Sequence, residues 1–310
     1  MTGPPVLSVG IATLDRPAAL ARCLDAVLSG TLLPAEVIVI DQGQARESAE
    51  VVRRRQGGPV PLMYLRQRRR GLSAARNAMV ARARAAHLVI TDDDCVPDAQ
   101  WLAAISRAFA TRPVPDVVTG RVLALGPERP GAYAVSLRTA TVRRDFVGPA
   151  LPWVVGTGAN FAIRRQWLLR YGGYDERLGA GSPGMAAEDF ELIHRLLVSG
   201  ARIRYEPDAV VYHERQPEAR RMASRRAYSY GIGAACGILF RRGDRRAVPM
   251  MWRWLTGRIV RLLEAMNRRD SSAARQAWLG VIGTIQGVGH GWRAERRAAV
   301  AGPVPSERWG

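Results

Sequence analysis

The chain has 310 residues, 47% of them hydrophobic and 24% charged, with a net charge of +19 and no lysine among its 46 basic residues. This composition excludes a disordered or low-complexity chain, and the length accommodates one large domain or one domain with a helical appendage. The absence of lysine indicates a GC-rich coding bias, which accounts for part of the arginine excess.

The positive charge is concentrated towards the C-terminus. Residues 1–216 contain 28 arginines and 21 acidic residues, a net charge of +7, whereas residues 217–310 contain 18 and 6, a net charge of +12. A negatively charged partner is therefore expected at the C-terminal part of the chain.

Cysteine usage and hydropathy bear on the compartment. Cys23, Cys95 and Cys236 are isolated in the sequence, which argues against a disulfide framework and a zinc site and fits a reducing compartment. The N-terminus lacks the basic segment of a secretory signal, and no apolar run reaches the roughly 18–20 residues of a spanning helix. We expect a cytoplasmic protein, with peripheral contact at the inner face of the plasma membrane left open.

The first third of the chain alternates strand-like and helix-like segments. Short apolar runs predict strands at 6–12, 36–41, 62–66 and 87–91. Helical patterns follow from Pro17 to Gly30, at 44–55 and at 72–86, the last with Ser73 as its cap. This alternation predicts a mostly parallel sheet with helices on its faces.

The middle of the chain is less regular. Helices are predicted at 98–110 and 186–200, and strands at 116–125 and within 201–214. Residues 156–181 are glycine-rich around a short strand and helix. Residues 126–150 have weak patterns, and we predict a loop region there, lying over the ligand-binding site of the sheet.

Acidic residues follow several of the predicted strands. Asp15, Asp41 and Asp92–Asp94 lie at or just after strand ends, where open parallel sheets bind ligands. Adjacent carboxylates repel one another, so a cation is expected among them, and hard carboxylate oxygens suit Mg²⁺ or Mn²⁺. The alternative is an acidic loop in which Asp94 or Asp98 caps the helix beginning near residue 98. Spacing alone does not decide between these interpretations.

Seven segments, in order and with comparable spacing, resemble the motifs of family 2 glycosyltransferases. They are LSVGIATLDRPAALARCLDAVL, EVIVIDQGQ, RGLSAARN, VITDDDCVPDAQW, GTGANFAIRR, GMAAEDFELIHRL and VVYHE. The resemblance covers roughly residues 5–215 and implies the GT-A fold, a Rossmann-like α/β domain over 1–216. Its nucleotide-binding part would be about 1–125 and its acceptor-binding part about 126–216.

The resemblance implies roles for individual residues. The donor-binding residues would be Thr13, Asp15, Arg16, Asp41, Arg76, Asp92 and Asp93. Asp94 would be the main metal ligand, with Asp92 beside it and nearer the ribose, and His213 matches a position that often lies at the metal or diphosphate. Asp189 would be the catalytic base, with Glu188 a close second.

These residue types suit an inverting, metal-dependent transferase. An acceptor hydroxyl attacks the anomeric carbon of a nucleotide sugar while a carboxylate removes its proton, a role worth roughly 10²–10⁴-fold. The base must lie opposite the leaving group, so it should come from a different segment from Asp92–Asp94, as Asp189 does. The expected partners are a nucleotide-sugar donor and a glycan or lipid-linked acceptor of cell-surface polysaccharide synthesis, the acceptor lying at Gly158 and Asn160.

Simpler structural interpretations stay open at several of these positions. Glu188 and Asp189 stand at a predicted helix N-terminus, where carboxylates meet the macrodipole favourably. His213 also fits a strand histidine with satisfied hydrogen bonds, and Asn160 also fits the closure of a turn.

The sequence departs from the family pattern on the nucleotide side. Leu14-Asp15 replaces the usual Tyr-Asn, and Gln42 and Gln44 stand where an acidic residue and a serine are common. The nucleoside of the donor is therefore left open among uridine, thymidine and guanosine.

Residues 217–310 are predicted to form a basic helical extension. An apolar stripe at helical spacing runs along 249–267 and comprises Trp252, Leu255, Ile259, Leu262, Leu263 and Met266. Arg253, Arg258 and Arg261 project elsewhere, a pattern that favours either an anionic membrane surface or docking on the catalytic domain. Gly283, Gly287 and Gly291 recur every four residues, a spacing that allows close helix packing.

Two other functions have weaker support. A sugar nucleotidyltransferase shares an α/β core and metal-bound phosphates, but it would need a glycine-rich phosphate loop after the first strand, and ATLDRPAAL has no glycine. A nucleic-acid-binding protein would explain the charge, but the chain has no recognisable binding motif and few aromatic residues among its arginines. No nucleic acid is therefore expected.

Overall fold

The computed structural model describes residues 6–44 and 46–300, with side chains as far as residue 296. Ala45, part of the helix predicted at 44–55, and the part of the extension beyond residue 300 lie outside the described residues. The chain forms two compact units. The first contains the chain up to Tyr174 together with Leu192–Pro217, and the second contains Asp175–Glu191 and the chain from Glu218.

The first unit contains all the described strands and most of the shorter helices. Its strands are β1 (Leu7–Thr13), β2 (Glu36–Asp41), β3 (Leu62–Arg66), β4 (His87–Asp92), β5 (Cys95–Pro97), β6 (Val117–Ala124), β7 (Ala132–Tyr133), β8 (Arg144–Phe146), β9 (Phe161–Arg164), β10 (Ile203–His213) and β11 (Gln216–Pro217). Its helices are α1 (Pro17–Leu28), α2 (Glu47–Arg53), α3 (Leu72–Arg82), α4 (Trp101–Ala110), α5 (Pro152–Val155) and α6 (Arg165–Tyr171). Helix α7 (Glu188–Val198) begins in the second unit and ends in the first.

Nine of the described strands form one sheet. Their order is β3-β2-β1-β4-β9-β6-β10-β5, and β8 pairs with β10. The pairs β1/β2, β1/β4, β2/β3 and β6/β10 are parallel, whereas β9, β5 and β8 are antiparallel to their neighbours. The predicted mostly parallel sheet with flanking helices is confirmed.

The sheet is covered on both faces, as the continuous apolar runs require. All six residues of β2 are buried. Val37 and Val39 belong to the core beneath α1 and α4, and Ile38 and Ile40 belong to the core beneath α3. Successive side chains point to opposite faces, so a fully apolar strand feeds both cores.

The predicted cap of α3 and the predicted first residue of α4 are wrong, whereas α3 begins at Leu72 as predicted. Gly71, with φ of 126°, precedes α3, so Ser73 lies inside the helix and does not cap it. Helix α4 begins at Trp101 and not at residue 98, because the Asp98 carboxylate accepts the Gln100 backbone N–H at 2.9 Å in the turn before it. The predicted loop region 126–150 contains only the short strands β7 and β8.

The second unit contains the helices α8 (Glu218–Arg241), α9 (Ala247–Asn267) and α10 (Ser271–Val300). Helix α10 packs closely on α8, and glycine makes this approach possible. A Cβ at Gly287 would clash with the carbonyl oxygen of Tyr230, and a Cβ at Gly291 with that of Ala234. No described helix is both long enough and apolar enough to cross a membrane.

The apolar stripe of α9 is largely open to solvent. Trp252, Ile259, Leu263 and Met266 are between 44% and 66% exposed. The apolar stripe predicted from the sequence is therefore a solvent-exposed surface of α9.

Candidate active site

Three neighbouring strands end side by side at one edge of the sheet. The pairing places Thr13 opposite Asp41 and Ala12 opposite Asp92, so the carboxyl ends of β1, β2 and β4 meet. The sequence predicted this convergence, since parallel strands bring their ends to the same edge.

Four potential metal-binding side chains converge just beyond β4. Strand β5 pairs antiparallel with β10, and Cys95 lies opposite His213 in that register. One ligand atom from each of Asp92, Asp94, Cys95 and His213 lies within 4.8 Å of the others. The predicted ligands Asp92, Asp94 and His213 are therefore together, and Cys95 is an addition that sequence reasoning did not identify.

The orientation of His213 suits a metal ligand. Its Nδ1 lies 2.8 Å from the Glu214 carbonyl oxygen, which only accepts, so Nδ1 carries the proton and donates it. In the neutral ring Nε2 then has a free lone pair, and it lies 3.6 Å from Asp94 Oδ1. Backbone hydrogen bonding of the second ring nitrogen is the usual support of a ligating histidine.

The donor set fits a hard divalent ion. Asp92 and Asp94 offer carboxylate oxygens, the preferred ligands of Mg²⁺ and Mn²⁺. Cys95 is fully buried, and burial together with the charges of Asp92 and Asp94 raises its thiol pKa well above the ordinary value. Cys95 therefore stays a neutral thiol, which a hard ion does not prefer.

An arginine of the chain itself lies among the aspartates. Arg16 Nη1 donates to Asp94 Oδ2 at 2.5 Å, and Nη2 lies 3.0 Å from Asp93 Oδ1. Thr13 Oγ1 donates to the other oxygen of Asp93 at 2.7 Å. Burial raises the pKa of Asp93 to about 7, although Arg16 opposes the shift. Part of the repulsion between the three carboxylates is thus relieved without a metal.

Arg76 supports the third aspartate. Its guanidinium is almost fully buried, lies 3.1 Å from Asp92 Oδ1 and stacks over the Tyr174 ring at 5.3 Å. A Cβ at Gly158 would lie 2.6 Å from Arg76 Nη1, so only glycine leaves room for this arrangement. The structure thus gives Gly158 a role in seating Arg76, and its predicted acceptor contact stays a prediction.

The ends of β1 and β2 continue into a polar cavity. The Asp41 carboxylate accepts from Tyr64 Oη at 2.6 Å and from the Gly43 backbone N–H at 2.7 Å, and Asp15 accepts from the Gln44 N–H at 2.8 Å. Beside them lies a cavity of about 490 Å³, whose lining residues are Gln42, Gly43, Gln44, Arg66, Gln67, Arg68 and Arg70.

Gln42 has a structural role that the sequence did not reveal. Its side-chain amide donates to the carbonyl oxygens of Arg69 and Gly71 and accepts from the Gly71 N–H. Gln42 thereby connects the end of β2 to the loop before α3. The glutamine that stands where the family commonly has an acidic residue thus stabilises this loop.

Asn160 has a structural role inside the fold, and its predicted acceptor contact stays a prediction. Its Nδ2 donates to the carbonyl oxygens of Arg121 at 2.9 Å and Ala209 at 2.8 Å, and its Oδ1 accepts from the Trp101 indole at 2.9 Å. The side chain is 1% exposed. Both donors are used inside the fold, so Asn160 ties β6, β10 and α4 together.

The two acidic residues of the predicted catalytic helix open α7. Glu188 and Asp189 are both buried, and Asp189 Oδ1 accepts the Phe190 backbone N–H at 2.8 Å. They belong to the second compact unit, whereas Asp92, Asp94 and His213 belong to the first.

Comparison with known families identifies the chain. The model of the family described as Glycosyl transferase family 2 matches residues 8–172, and that of Glycosyltransferase like family 2 matches residues 133–237. The first match covers more than half of the sequence, so the chain belongs to glycosyltransferase family 2.

Individual relatives agree with this membership. The pre-mycofactocin glycosyltransferase of Mycobacterium tuberculosis is 30% identical over 218 residues, which are 68% of this chain and 44% of that protein. The mannosyltransferase PcManGT from Pyrobaculum calidifontis, solved with GDP-Man and Mn²⁺, has a TM-score of 0.57 at 20% identity over 98% of this chain and 78% of its own. S. aureus TarS 1–349 has a TM-score of 0.61 at 14% identity over 94% and 83%.

These likenesses establish the GT-A fold. The chain spans less than half the length of the curated relatives it matches.

Proposed function

We propose that this family 2 glycosyltransferase transfers a sugar from a nucleoside diphosphate donor to an acceptor hydroxyl, in a metal-dependent reaction that inverts the anomeric centre. The observation that supports this most is the convergence of Asp92, Asp94 and His213 at the ends of the parallel strands. Oxygen ligands with open positions suit an ion that also binds substrate phosphates.

Asp94, Asp92 and His213 would hold Mg²⁺ or Mn²⁺ in this proposal. The ion would neutralise charge on the departing diphosphate. PcManGT, a structural neighbour, was solved with Mn²⁺ and GDP-Man, which supports the same pairing here. Arg76 keeps Asp92 in place through their 3.1 Å contact.

The nucleoside would occupy the polar cavity beyond β2. Asp41 and Asp15 stand at its edge with backbone N–H groups of Gly43 and Gln44 held in place. Arg68 and Arg70 line the same cavity and provide positive charge near the phosphates. Arg16 and Thr13 fix Asp93, which keeps the edge of the metal site in one conformation.

Asp189 would act as the general base, with Glu188 as the second candidate. The acceptor oxygen forms a bond to the anomeric carbon, its proton passes to the Asp189 carboxylate, and the bond from that carbon to the phosphate oxygen breaks with its electrons going to the diphosphate. A carboxylate outside the strand-end cluster is needed because attack occurs opposite the leaving group.

The test measures nucleoside diphosphate release from a panel of nucleotide sugars by the full chain. Asp189→Asn should lower kcat by about 10²–10⁴-fold and leave nucleotide binding intact. Asp208→Asn, which removes an exposed carboxylate, should have wild-type kcat. Equal activity of both variants would reject Asp189 as the base, and a product with retained anomeric configuration by NMR would reject inversion.

The acceptor would be a glycan or a lipid-linked glycan at a membrane surface, in cell-surface polysaccharide synthesis. The exposed apolar stripe of α9 lies within residues 217–310, whose net charge is +12. An apolar stripe in a basic segment supports a peripheral location at an anionic membrane. Ile259→Gln with Leu263→Gln should abolish sedimentation with anionic vesicles, whereas Val142→Gln, at a 75% exposed position of the first unit, should not. Unchanged sedimentation of the double variant would reject this location.

A further inference from the structure

A positively charged cavity lies between the three long helices of the second unit. Its volume is about 510 Å³, within the range of small-molecule sites. The lining includes five arginines, Arg225, Arg226, Arg258, Arg261 and Arg268. Among the described residues, the carboxylates in the lining are Glu264 and Asp270, so the formal charge of the lining is three positive.

The described part of the chain offers these five arginines no carboxylate partner. Among the described residues, none of them makes an ion pair with an acidic side chain. The Asp270 carboxylate accepts the Ala273 backbone N–H at 2.9 Å and so caps the start of α10. Burial, together with the charges of Arg261 and Arg225, lowers the pKa of Arg258 to about 10, which leaves it charged at neutral pH.

A buried hydroxyl completes the lining. Ser229 is 1% exposed, and its Oγ has no hydrogen-bond partner among the described residues. Buried polar groups normally find a partner, so an unpaired hydroxyl beside a cavity indicates a missing one.

Gly280 leaves the space in front of this hydroxyl open. A Cβ at Gly280 would lie 3.4 Å from Ser229 Oγ and 3.5 Å from Arg258 Cδ, so the hydroxyl and the arginine flank the same space. Ser229 on α8, Arg258 on α9 and Gly280 on α10 thus meet at one point of the cavity.

We propose that this cavity is a binding site for a phosphate group, held by Arg258, Arg261 and Arg225 with Ser229 donating its hydroxyl. Guanidinium groups bind phosphate oxygens through paired N–H donors, and a dianion would offset the net charge of the lining. The proposal is independent of the catalytic one, since every lining residue lies between Met222 and Gly280.

The position of the cavity favours a soluble source of the phosphate. Arg258, Arg261 and Ala265 recur at i, i+3 and i+7, which places them on one face of α9, and Arg268 directly follows the helix. The exposed apolar stripe lies on nearly the opposite face at 100° per residue. A helix resting on lipid by its stripe would turn the cavity away from the headgroups.

The test titrates the full chain with inorganic phosphate by calorimetry, at fixed ionic strength and with EDTA present. Arg258→Gln should raise the dissociation constant at least tenfold. Arg253→Gln, which removes an exposed arginine of the same helix that does not line the cavity, should leave it unchanged.

Gly280→Ala is a second variant that keeps the fold. Its added methyl meets only ordinary van der Waals contacts and favours the helix, so the thermal midpoint should hold or rise. Because the methyl fills the space before Ser229, phosphate binding should still weaken severalfold. Equal dissociation constants in Arg258→Gln, Gly280→Ala and Arg253→Gln would overturn the proposal.

Vesicles distinguish the two sources of phosphate. Phosphatidylcholine vesicles with and without phosphatidic acid present the same chemical group on lipid. Retention that Arg258→Gln loses and Arg253→Gln keeps would assign the cavity to a lipid headgroup, whereas a difference seen only with inorganic phosphate would assign it to a soluble ligand. No difference between the two variants in either assay would overturn the site.

Discussion

Replacing Arg16 by glutamine should destabilise the metal-free protein and strengthen its response to metal. Arg16 contacts Asp94 at 2.5 Å and Asp93 at 3.0 Å, and these two carboxylates are at most 6% exposed. Removing the guanidinium leaves two buried negative charges beside each other. Because Arg16 occupies an oxygen of Asp94, it also competes with a cation for that ligand.

The magnitude follows from burial. Breaking a fully buried ion pair costs about 3–5 kcal/mol, whereas exposed pairs are worth about 0–1 kcal/mol. The Arg16 side chain is 33% exposed, so we expect a loss of about 2 kcal/mol, or a fall of about 4–8 °C in thermal midpoint. Saturating Mn²⁺ binds the folded state and should recover most of this loss.

The assay is thermal unfolding at pH 8, in EDTA and then in Mn²⁺. Arg22→Gln is the matched control, since Arg22 lies on α1, which Arg16 directly precedes, and pairs with Glu214 but is half exposed. That variant should lose less than about 1 kcal/mol and respond to Mn²⁺ as the wild type does. If Arg16→Gln is no less stable than Arg22→Gln, or gains no more from Mn²⁺, the reasoning about this cluster is wrong.

Two further predictions concern pH and packing. The pKa of Asp93 is raised from 3.8 to about 7, so its contribution to stability is present below pH 4 and lost as the pH rises through 7. Urea unfolding in EDTA should show about 2 kcal/mol less stability at pH 8 than at pH 5.5 from this group. The difference should be absent in Asp93→Asn, and an equal pH response of both proteins would refute this prediction. Gly287→Ala should lower the free energy of unfolding by about 1–3 kcal/mol through overpacking, because its methyl would clash with the Tyr230 carbonyl oxygen. Gly289→Ala is the control, since its methyl lies nearest the Arg293 side chain, and chemical unfolding should show it neutral or stabilising. Equal effects of the two variants would contradict the close packing of α8 and α10.

Local sequence pattern was sufficient for the sheet and for the convergence of its acidic strand ends. Apolar runs such as that of β2 have no polar face, so helices must cover both sides, and Thr13, Asp41 and Asp92 then share one edge. The cation among the aspartates was expected from repulsion alone. That Arg16 partly fills this role was not evident, because its reach across to Asp94 depends on the turn after β1.

Long-range register set the limits of prediction. His213 meets Asp94 and Cys95 because β10 pairs with β5, a contact between distant segments that only motif resemblance indicated. The sequence also could not show that Trp101 and two backbone carbonyl groups use the side-chain amide of Asn160, since these partners lie far from it along the chain. The arginine cavity arises from three helices together, and no single segment contains its pattern.

A nucleotide-sugar site at Asp92 and Asp94 is tested by thermal unfolding of the full chain with GDP, UDP and dTDP, each with and without Mn²⁺. We expect one nucleotide to raise the thermal midpoint only when the metal is present, since ligands stabilise by binding the folded state. Asp94→Ala should stay folded and lose this shift. A folded wild type that responds to no nucleotide, or an Asp94→Ala variant that responds as the wild type does, would contradict a donor site at these aspartates.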